Sequence, residues 1–322
     1  MLAFTVRRLV GLVFVLFALS VLVFLIFFAT PGVDPARQMA GRNPDPETIR
    51  QIKHEFKLDR SLPVQYVSMM EKMFISRDLI SYGNHTKVIP QITSAVPVTL
   101  SLVIGAAFIW IVFSILFGLA AAVLRGTIFD PLLMILALIG ISMPVFWLGE
   151  VVNLLTQSRW HDTFLFSWVP PLGYTPLTED PLKWFQGMFF PWLTLSVLYV
   201  GFYARVLRAN LIETENEDYV RTARSKGISE RRVLLRHNLR TSMITFVSLF
   251  GLDLGVLIGG GALLTEVVFA LPGVGLLTYN SLQALDLPVI MTTVVYAAFF
   301  ITLASAAVDL VYAWLDPRVR PA

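Results

Sequence analysis

The sequence predicts an all-α integral membrane protein with six transmembrane helices. Three observations carry that expectation. Of 322 residues, 56% are hydrophobic and only 15% charged. The mean hydropathy is +0.71, outside the range of an ordinary water-facing domain. Six separate stretches stay apolar for about 20 residues, the length a helix needs to cross roughly 30 Å of hydrocarbon with its backbone groups bonded internally. They are Leu9 to Ala29, Val98 to Leu124, Pro131 to Leu155, Phe189 to Leu207, Met243 to Val268 and Val289 to Ala313. An even number of crossings puts both termini on one side.

The first span follows Arg7 and Arg8 and lacks a small-residue cleavage site, so it is expected to stay as an anchor. Residues 30–97 are polar. They show helical charge spacing from Glu47 to Lys57 and an amphipathic, aromatic-bearing stretch from Val64 to Phe74, as in a small extracytoplasmic insertion. Residues 1–97 thus read as one anchor helix plus that insertion, and 98–322 as a five-helix core with a cytoplasmic loop at 208–242. Between the third and fourth spans, Thr156 to Met188 is rich in Trp, Pro and Gly, a composition suited to an interfacial turn anchored by Trp160, Trp168 and Trp184. Arg7, Arg8, Arg125, the cluster from Arg205 to Arg240, Arg318 and Arg320 fall on one side. Phe269 to Pro288 on the other side holds no Lys or Arg. The positive-inside rule makes the arginine side, with both termini, cytoplasmic.

Several function classes are disfavoured. The basic residues sit between apolar runs and leave a formal charge of only +3, which argues against nucleic acid as a partner. There is no cysteine, and His54, His85, His161 and His237 lack metal-ligand spacing, so no metal is expected. No Gly-rich loop ends in Gly-Lys-Ser/Thr, no Gly-x-Ser-x-Gly or His-Glu-x-x-His occurs, and no inverted repeat is visible. ATP binding, intramembrane hydrolysis and ion-coupled secondary transport therefore find no support on this chain.

The cytoplasmic loop is the most informative segment. Glu217 to Gly227 predicts a short helix opened by acids and closed by glycine, with Tyr219, Ala223 and Lys226 on one face. Ser229 can cap a second helix, with Glu230 in its first turn and Leu235 and Leu239 on an apolar edge. Arg221, Arg224, Lys226, Arg231, Arg232, Arg236 and Arg240 make the module strongly basic. Topology alone explains much of that charge. Ala223 and Gly227, four residues apart, would also let a partner approach the backbone closely.

Four carboxylates lie in or near apolar runs, where each costs about 2.5 to 3.5 kcal/mol to insert at mid-bilayer. Asp253 is ten residues into its span, roughly 15 Å deep. It either lines a hydrated path for a cargo amine or bonds a neighbouring helix. Glu150, with Asn153 nearby, reads as structural at an outer end. Glu266 precedes the Leu271-Pro-Gly273 turn and is expected at an outer gate, while Asp309 is expected to pair with an arginine such as Arg205. Gly251, Gly255 and Gly259 form a small face for close helix packing.

Arg221-Thr-Ala223 and Gly227 match the Glu-Ala-Ala-x-x-x-Gly loop of ABC importer permeases at two of four positions. The run Tyr219-Val-Arg-Thr-Ala-Arg-Ser-Lys-Gly227, then His237-Asn-Leu-Arg240, resembles the dipeptide, oligopeptide and nickel branch of that family much more closely. Phe4-Thr-Val-Arg-Arg8, Leu58 to Tyr66, Pro144 to Gly149, Glu266 to Gly273 and Leu315 to Arg320 extend the resemblance over essentially the whole chain. Thr245, Asp253 and Leu276 depart from the branch pattern, where proline, glutamine and arginine are usual.

The resemblance implies a type I ABC importer permease subunit carrying di- or oligopeptides, or by the same machinery nickel complexes, glutathione or oligosaccharides. It implies a second homologous permease, two ATP-binding subunits holding ATP and magnesium, an extracytoplasmic substrate-binding protein and a bacterial plasma membrane. No cofactor is expected on this chain. The implied coupling residues are Glu217, Tyr219, Arg221, Ala223, Arg224, Lys226, Gly227, Arg232, Arg236, His237 and Arg240. The path and gate candidates are Asp253, Glu266, Glu150 and Asn153. In the Glu266 to Gly273 segment the turn would sit at the outer mouth, and the glycine face at 251, 255 and 259 could lie against the second permease.

Overall fold

The apolar runs fold as helices throughout, and their breaks fall at proline and glycine. The computed structural model describes residues 2–28, 36, 37, 40, 45–55 and 57–315, the side chains of 2–9, 27, 28, 48, 55, 159 and 309–315 excepted. In chain order the helices are α1 (Leu2–Phe28), α2 (Pro46–Glu55), α3 (Leu62–Phe74), α4 (Val88–Val123), α5 (Phe129–Ser142) and α6 (Val145–Leu154). They continue with α7 (Pro181–Thr214), α8 (Asp218–Ser225), α9 (Glu230–Gly261), α10 (Leu263–Val268), α11 (Val274–Gln283) and α12 (Leu287–Leu315). Helix α9 contains π-helical stretches at Val233–Asn238 and Leu257–Gly261.

Among the described residues, four helices are long and apolar enough to cross a bilayer: α4, α7, α9 and Leu287–Val308 of α12. A fifth crossing exists if α5 and α6 count as one, but they are bent by 92°. The expected third span is therefore a broken one. Pro144 has no N–H and disfavours helical geometry in the residue before it, and Met143 is extended at φ −83°, ψ 123°. The apolar run of α1, Val10–Ile26, is shorter than the other four. The fourth span starts at Pro181 because Asp180 caps it, its Oδ1 accepting from Leu182 and Lys183 N–H at 3.1 Å each. Trp184 consequently sits on α7 and not in the preceding turn. The fifth span reaches back to Glu230 and ends where Gly260 turns to φ +114°.

The described residues fall into two compact units. The first comprises 1–99, 256–267 and 272–303. Its core joins Val23 and Phe24 of α1, Met69 and Met73 of α3, Val88 and Ile92 of α4, and Val289 and Met291 of α12. The sequence-predicted amphipathic stretch is α3, and its Tyr66 hydroxyl meets Ser20 Oγ at 2.7 Å while its ring packs edge-on against Phe24. Asp286, 4% exposed, holds residues 81–83: Ser81 Oγ donates to it, as do Tyr82 N–H at 3.0 Å and Gly83 N–H at 3.1 Å. Burial lifts the Tyr82 phenol above its usual range, and the charge on Asp286 adds to this. Asp286→Ala leaves two backbone N–H groups and a hydroxyl unpaired, at about 1–3 kcal/mol for each buried donor. Thermal unfolding in lipid nanodiscs should show a loss of about 3–6 kcal/mol, and a smaller one for Asp286→Asn, which keeps one acceptor.

The second unit comprises 100–255, 268–271 and the described part of 304–322. Its centre is α7, against which other helices lie at backbone contact. The Trp192 ring covers Gly105, where a Cβ would come within 2.1 Å, and Trp192 Nε1 donates to Ser101 O at 2.8 Å. A Cβ on Gly201 would meet Ala137 O of α5 at 2.4 Å. Small residues at helix contacts give membrane helices the dispersion contacts that apolar exclusion cannot supply in lipid. The glycine face of α9 is used inside this chain: a Cβ on Gly251 would strike Val308 at 2.3 Å. In the first unit, a Cβ on Gly259 would stand 3.0 Å from Ala297 O.

Candidate functional site

In the loop from Glu217 to Arg240, sequence and tertiary packing combine to make a rigid helical module. Helix α8 ends in a Schellman motif: Gly227 N–H bonds Arg224 O at 2.9 Å and Ile228 N–H bonds Ala223 O at 3.3 Å. Gly227 sits at φ +74° with nothing within 4 Å of where a Cβ would be, so glycine is required by conformation and not by space. Beneath the turn, Val220, Ala223 and Val233 form a small buried core with Ile228 packed against it.

Ala223 is 6% exposed and faces the module's own core, so it does not offer a docking surface. This corrects the expectation that Ala223 lets a partner approach the backbone; of Tyr219, Ala223 and Lys226 only Tyr219 and Lys226 are exposed. Ser229 occupies the N-cap position but makes no capping bond. Its neighbour Glu230 instead accepts from Arg224 Nε at 3.0 Å, and Arg224 Nη2 reaches Glu215 Oε1 at 2.9 Å. Arg224 thus staples α8 to the ends of α7 and α9, and these bonds hold its guanidinium above the usual arginine range, Glu230 contributing most. Leu235, on the expected apolar edge, is 46% exposed, and Val233 lies in the module's core.

The outer surface carries Glu217, Arg221, Lys226, Gly227, Arg232, Arg236 and Arg240, all exposed, with His237 half-buried. The Tyr219 hydroxyl donates to Thr241 Oγ1 at 3.2 Å, fixing α8 to α9. Beneath α8 an open cleft of about 530 Å³ is bounded by Leu211, Glu215, Arg224, Arg231 and Asn238.

The intramembrane candidates separate by environment. Asp253 is half-buried and accepts a 2.6 Å hydrogen bond from the buried Tyr203 hydroxyl of α7. Trp110 packs against both Tyr199 and Tyr203, at 4.4 and 5.2 Å between ring centroids. Asn153 is buried and donates to Val268 O at 2.8 Å, whereas Glu150 on the same helix is exposed. Asp309 lies outside the described side chains.

Glu266 is fully buried. Its carboxylate accepts from Thr99 Oγ1 at 2.7 Å and Leu276 N–H at 3.0 Å, and also from Gly275 N–H. The Thr99 hydroxyl in turn accepts Val274 N–H at 2.9 Å. Gly273, at the N-cap of α11, has no side chain to cap with, so Thr99 and Glu266 satisfy the first three N–H groups of that helix.

Sequence reading missed Asp130, Asp286 and Thr99. Asp130, 6% exposed at the start of α5, forms two 2.6 Å bonds with Arg208 of α7, from Nε and Nη2. Its one sequence signal is an acid at the edge of an apolar run beside an arginine-rich helix end.

Two family models cover the chain. "Binding-protein-dependent transport system inner membrane component" matches residues 114–321, and "Binding-prot-dependent transport system membrane comp, N-term" matches 1–103. The chain belongs to this family. As an ABC importer permease it is a transport component of the inner membrane. The module at 217–240 and the capped break at Glu266 both lie within the larger match. A permease protein of Brucella abortus (strain 2308), named for a peptide transport system, is 35% identical over 320 residues, 99% of each chain. The glutathione transport system permease protein GsiC of Escherichia coli (strain K12) has the same identity and coverage. DdpB of that strain, named for D,D-dipeptide transport, is 34% identical over 97% of this chain and 96% of its own. Among solved structures, a chain of the inward-facing MetNI methionine ABC transporter aligns with TM-score 0.55 at 17% identity, over 71% of this permease and 97% of that chain. That likeness shows the fold, the type I importer permease fold.

Proposed function

We propose that this permease forms, with a second homologous permease, the membrane path of a peptide importer, and that α8 is its docking element for a separate ATPase. In this reading two ATP-binding subunits and an extracytoplasmic substrate-binding protein complete the assembly, and the positive-inside pattern of the sequence supports cytoplasmic termini. One observation carries the coupling assignment. Helix α8 is braced at three points, by the Schellman turn, the Arg224 pairs and the Tyr219 contact, while Glu217, Tyr219, Arg221 and Lys226 on its outer surface stay exposed. A braced helix passes on a displacement that a floppy loop would absorb, and its differential contact with two ATPase states would drive the cycle. The cargo class rests on three relatives, at 34–35% identity, named for peptide, D,D-dipeptide and glutathione transport. Asp253, with Tyr203 bonded to it, is the path residue we assign, and exposed Glu150 is a second candidate. Asn153, bonded to Val268 O, and Glu266, bonded to Thr99, are the further gate candidates.

Gly227 gives a test at the surface of the module, because nothing lies within 4 Å of where its Cβ would be, and an Asn variant controls for the positive φ. Gly227→Asn tolerates positive φ and should keep ATPase docking, at a stability cost of about 1 kcal/mol or less. Gly227→Trp should weaken docking at least tenfold, measured with the purified ATPase on permease in nanodiscs. Docking of the Trp variant equal to wild type would put the interface elsewhere. Uptake of a labelled tripeptide by proteoliposomes holding the full assembly tests the cargo class separately.

A further inference from the structure

The exposed arginines of α9 are not explained by docking through α8. Arg232, Arg236 and Arg240 recur every four residues on the outer side of α9 and are exposed. Among the described residues none of them has an ion-pair partner, whereas Arg208, Arg221 and Arg224 do. From Arg231 to Leu252 there is no acidic residue at all. The buried side of the same segment is Val233 and Asn238, so the arginines form one unneutralised stripe leading towards the apolar part of the helix.

We propose that this stripe binds anionic phospholipid headgroups, with Arg236 and Arg240 making the contacts. The apolar run begins at Met243. At the rise of a helix, Arg240, Arg236 and Arg232 stand roughly 5, 10 and 16 Å before it. The field of an anionic leaflet decays over about 8–10 Å at physiological salt, so the first two arginines lie within it and Arg232 at its edge. Guanidinium groups bond phosphate through two N–H donors at once, and Leu235, 46% exposed beside the stripe, offers an apolar contact to the acyl region. The site has a route to the coupling helix. Thr241, next to Arg240, holds the Tyr219 hydroxyl at 3.2 Å and donates to His237 O at 3.2 Å. A lipid gripping Arg240 would brace the base of α8. The inference rests on the permease standing in a bilayer, and it does not require α8 to be the ATPase contact.

The test uses the full transporter, reconstituted in phosphatidylcholine nanodiscs with 0 to 40 mol% phosphatidylglycerol. Association of spin-labelled phosphatidylglycerol is measured beside ATPase rate and ATPase-subunit docking. Wild type should bind the anionic probe in preference to labelled phosphatidylcholine, with its ATPase rate rising with phosphatidylglycerol content. Arg236→Gln should weaken probe binding about fivefold and Arg236→Gln/Arg240→Gln about thirtyfold, abolishing the ATPase response, while Arg236→Lys/Arg240→Lys restores most of it. The family resemblance also implies Arg236 and Arg240 as coupling residues, so docking in pure phosphatidylcholine is the deciding arm: lipid binding alone leaves it unchanged in the Gln variants. Equal probe binding by wild type and the double Gln variant would overturn the proposal. So would loss of docking in pure phosphatidylcholine, which would assign the stripe to the ATPase.

Discussion

Glu266→Ala is expected to destabilise the permease by about 3–6 kcal/mol and to abolish transport. The carboxylate accepts from Thr99 Oγ1, Leu276 N–H and Gly275 N–H in a fully buried site. Each orphaned donor costs about 1–3 kcal/mol, and the anion at the start of α11 is also lost. Two glycines make the attribution specific. A Cβ on Gly273 would lie 2.4 Å from the Glu266 carboxyl carbon. Gly273→Ala should therefore be severe in wild type and at least 1 kcal/mol milder in the Glu266→Ala background. Gly275→Ala is the control. Its Cβ would also meet the Leu263 backbone at 2.5 Å, so its cost should persist without Glu266. Thermal unfolding of the three single and two double variants decides it. Strict additivity for Gly273 with Glu266 would mean that the carboxylate does not organise this turn.

Asp130→Ala should cost about 2–3 kcal/mol, since it strands the mostly buried Arg208 guanidinium. Arg208→Lys, which cannot make the paired Nε and Nη2 bonds, should lose about 1 kcal/mol. Replacing both residues with leucine should recover much of the loss, because neither charge is then left unpaired.

The helices were legible because hydropathy accumulates along the chain, and so was the module at 217–240, whose acids, glycine and basic run follow local rules of helix polarity. The bend at Pro144 was legible in principle, from one residue that lacks an N–H. Boundaries were less so. Asp180 and the Glu230 turn extend helices into polar sequence that a hydropathy window excludes, and Pro97 lies inside α4, not at its start.

Individual roles depended on partners that no local pattern names. Ala223 looked like a docking surface and is core, because Val233 and Ile228 fold over it. Glu266, a gate candidate by its place before the Leu271-Pro-Gly273 turn, bonds the start of a helix, and Thr99, 167 residues away, shares its cradle. From its depth alone Asp253 could line a cargo path or bond a helix; Tyr203, 50 residues away, donates to it. Asp130 and Asp286 drew no notice in sequence, and their partners stand 78 and 204 residues off. The sequence by itself determined the solvent of this protein, its helical class, its family resemblance and the place of its cytoplasmic module, because these follow from composition and from runs a few turns long. Only the tertiary structure decided which charges are satisfied and which are free. Burial and pairing belong to residues brought together in space, and in a low-dielectric interior an unpaired charge costs far more than any local preference can repay.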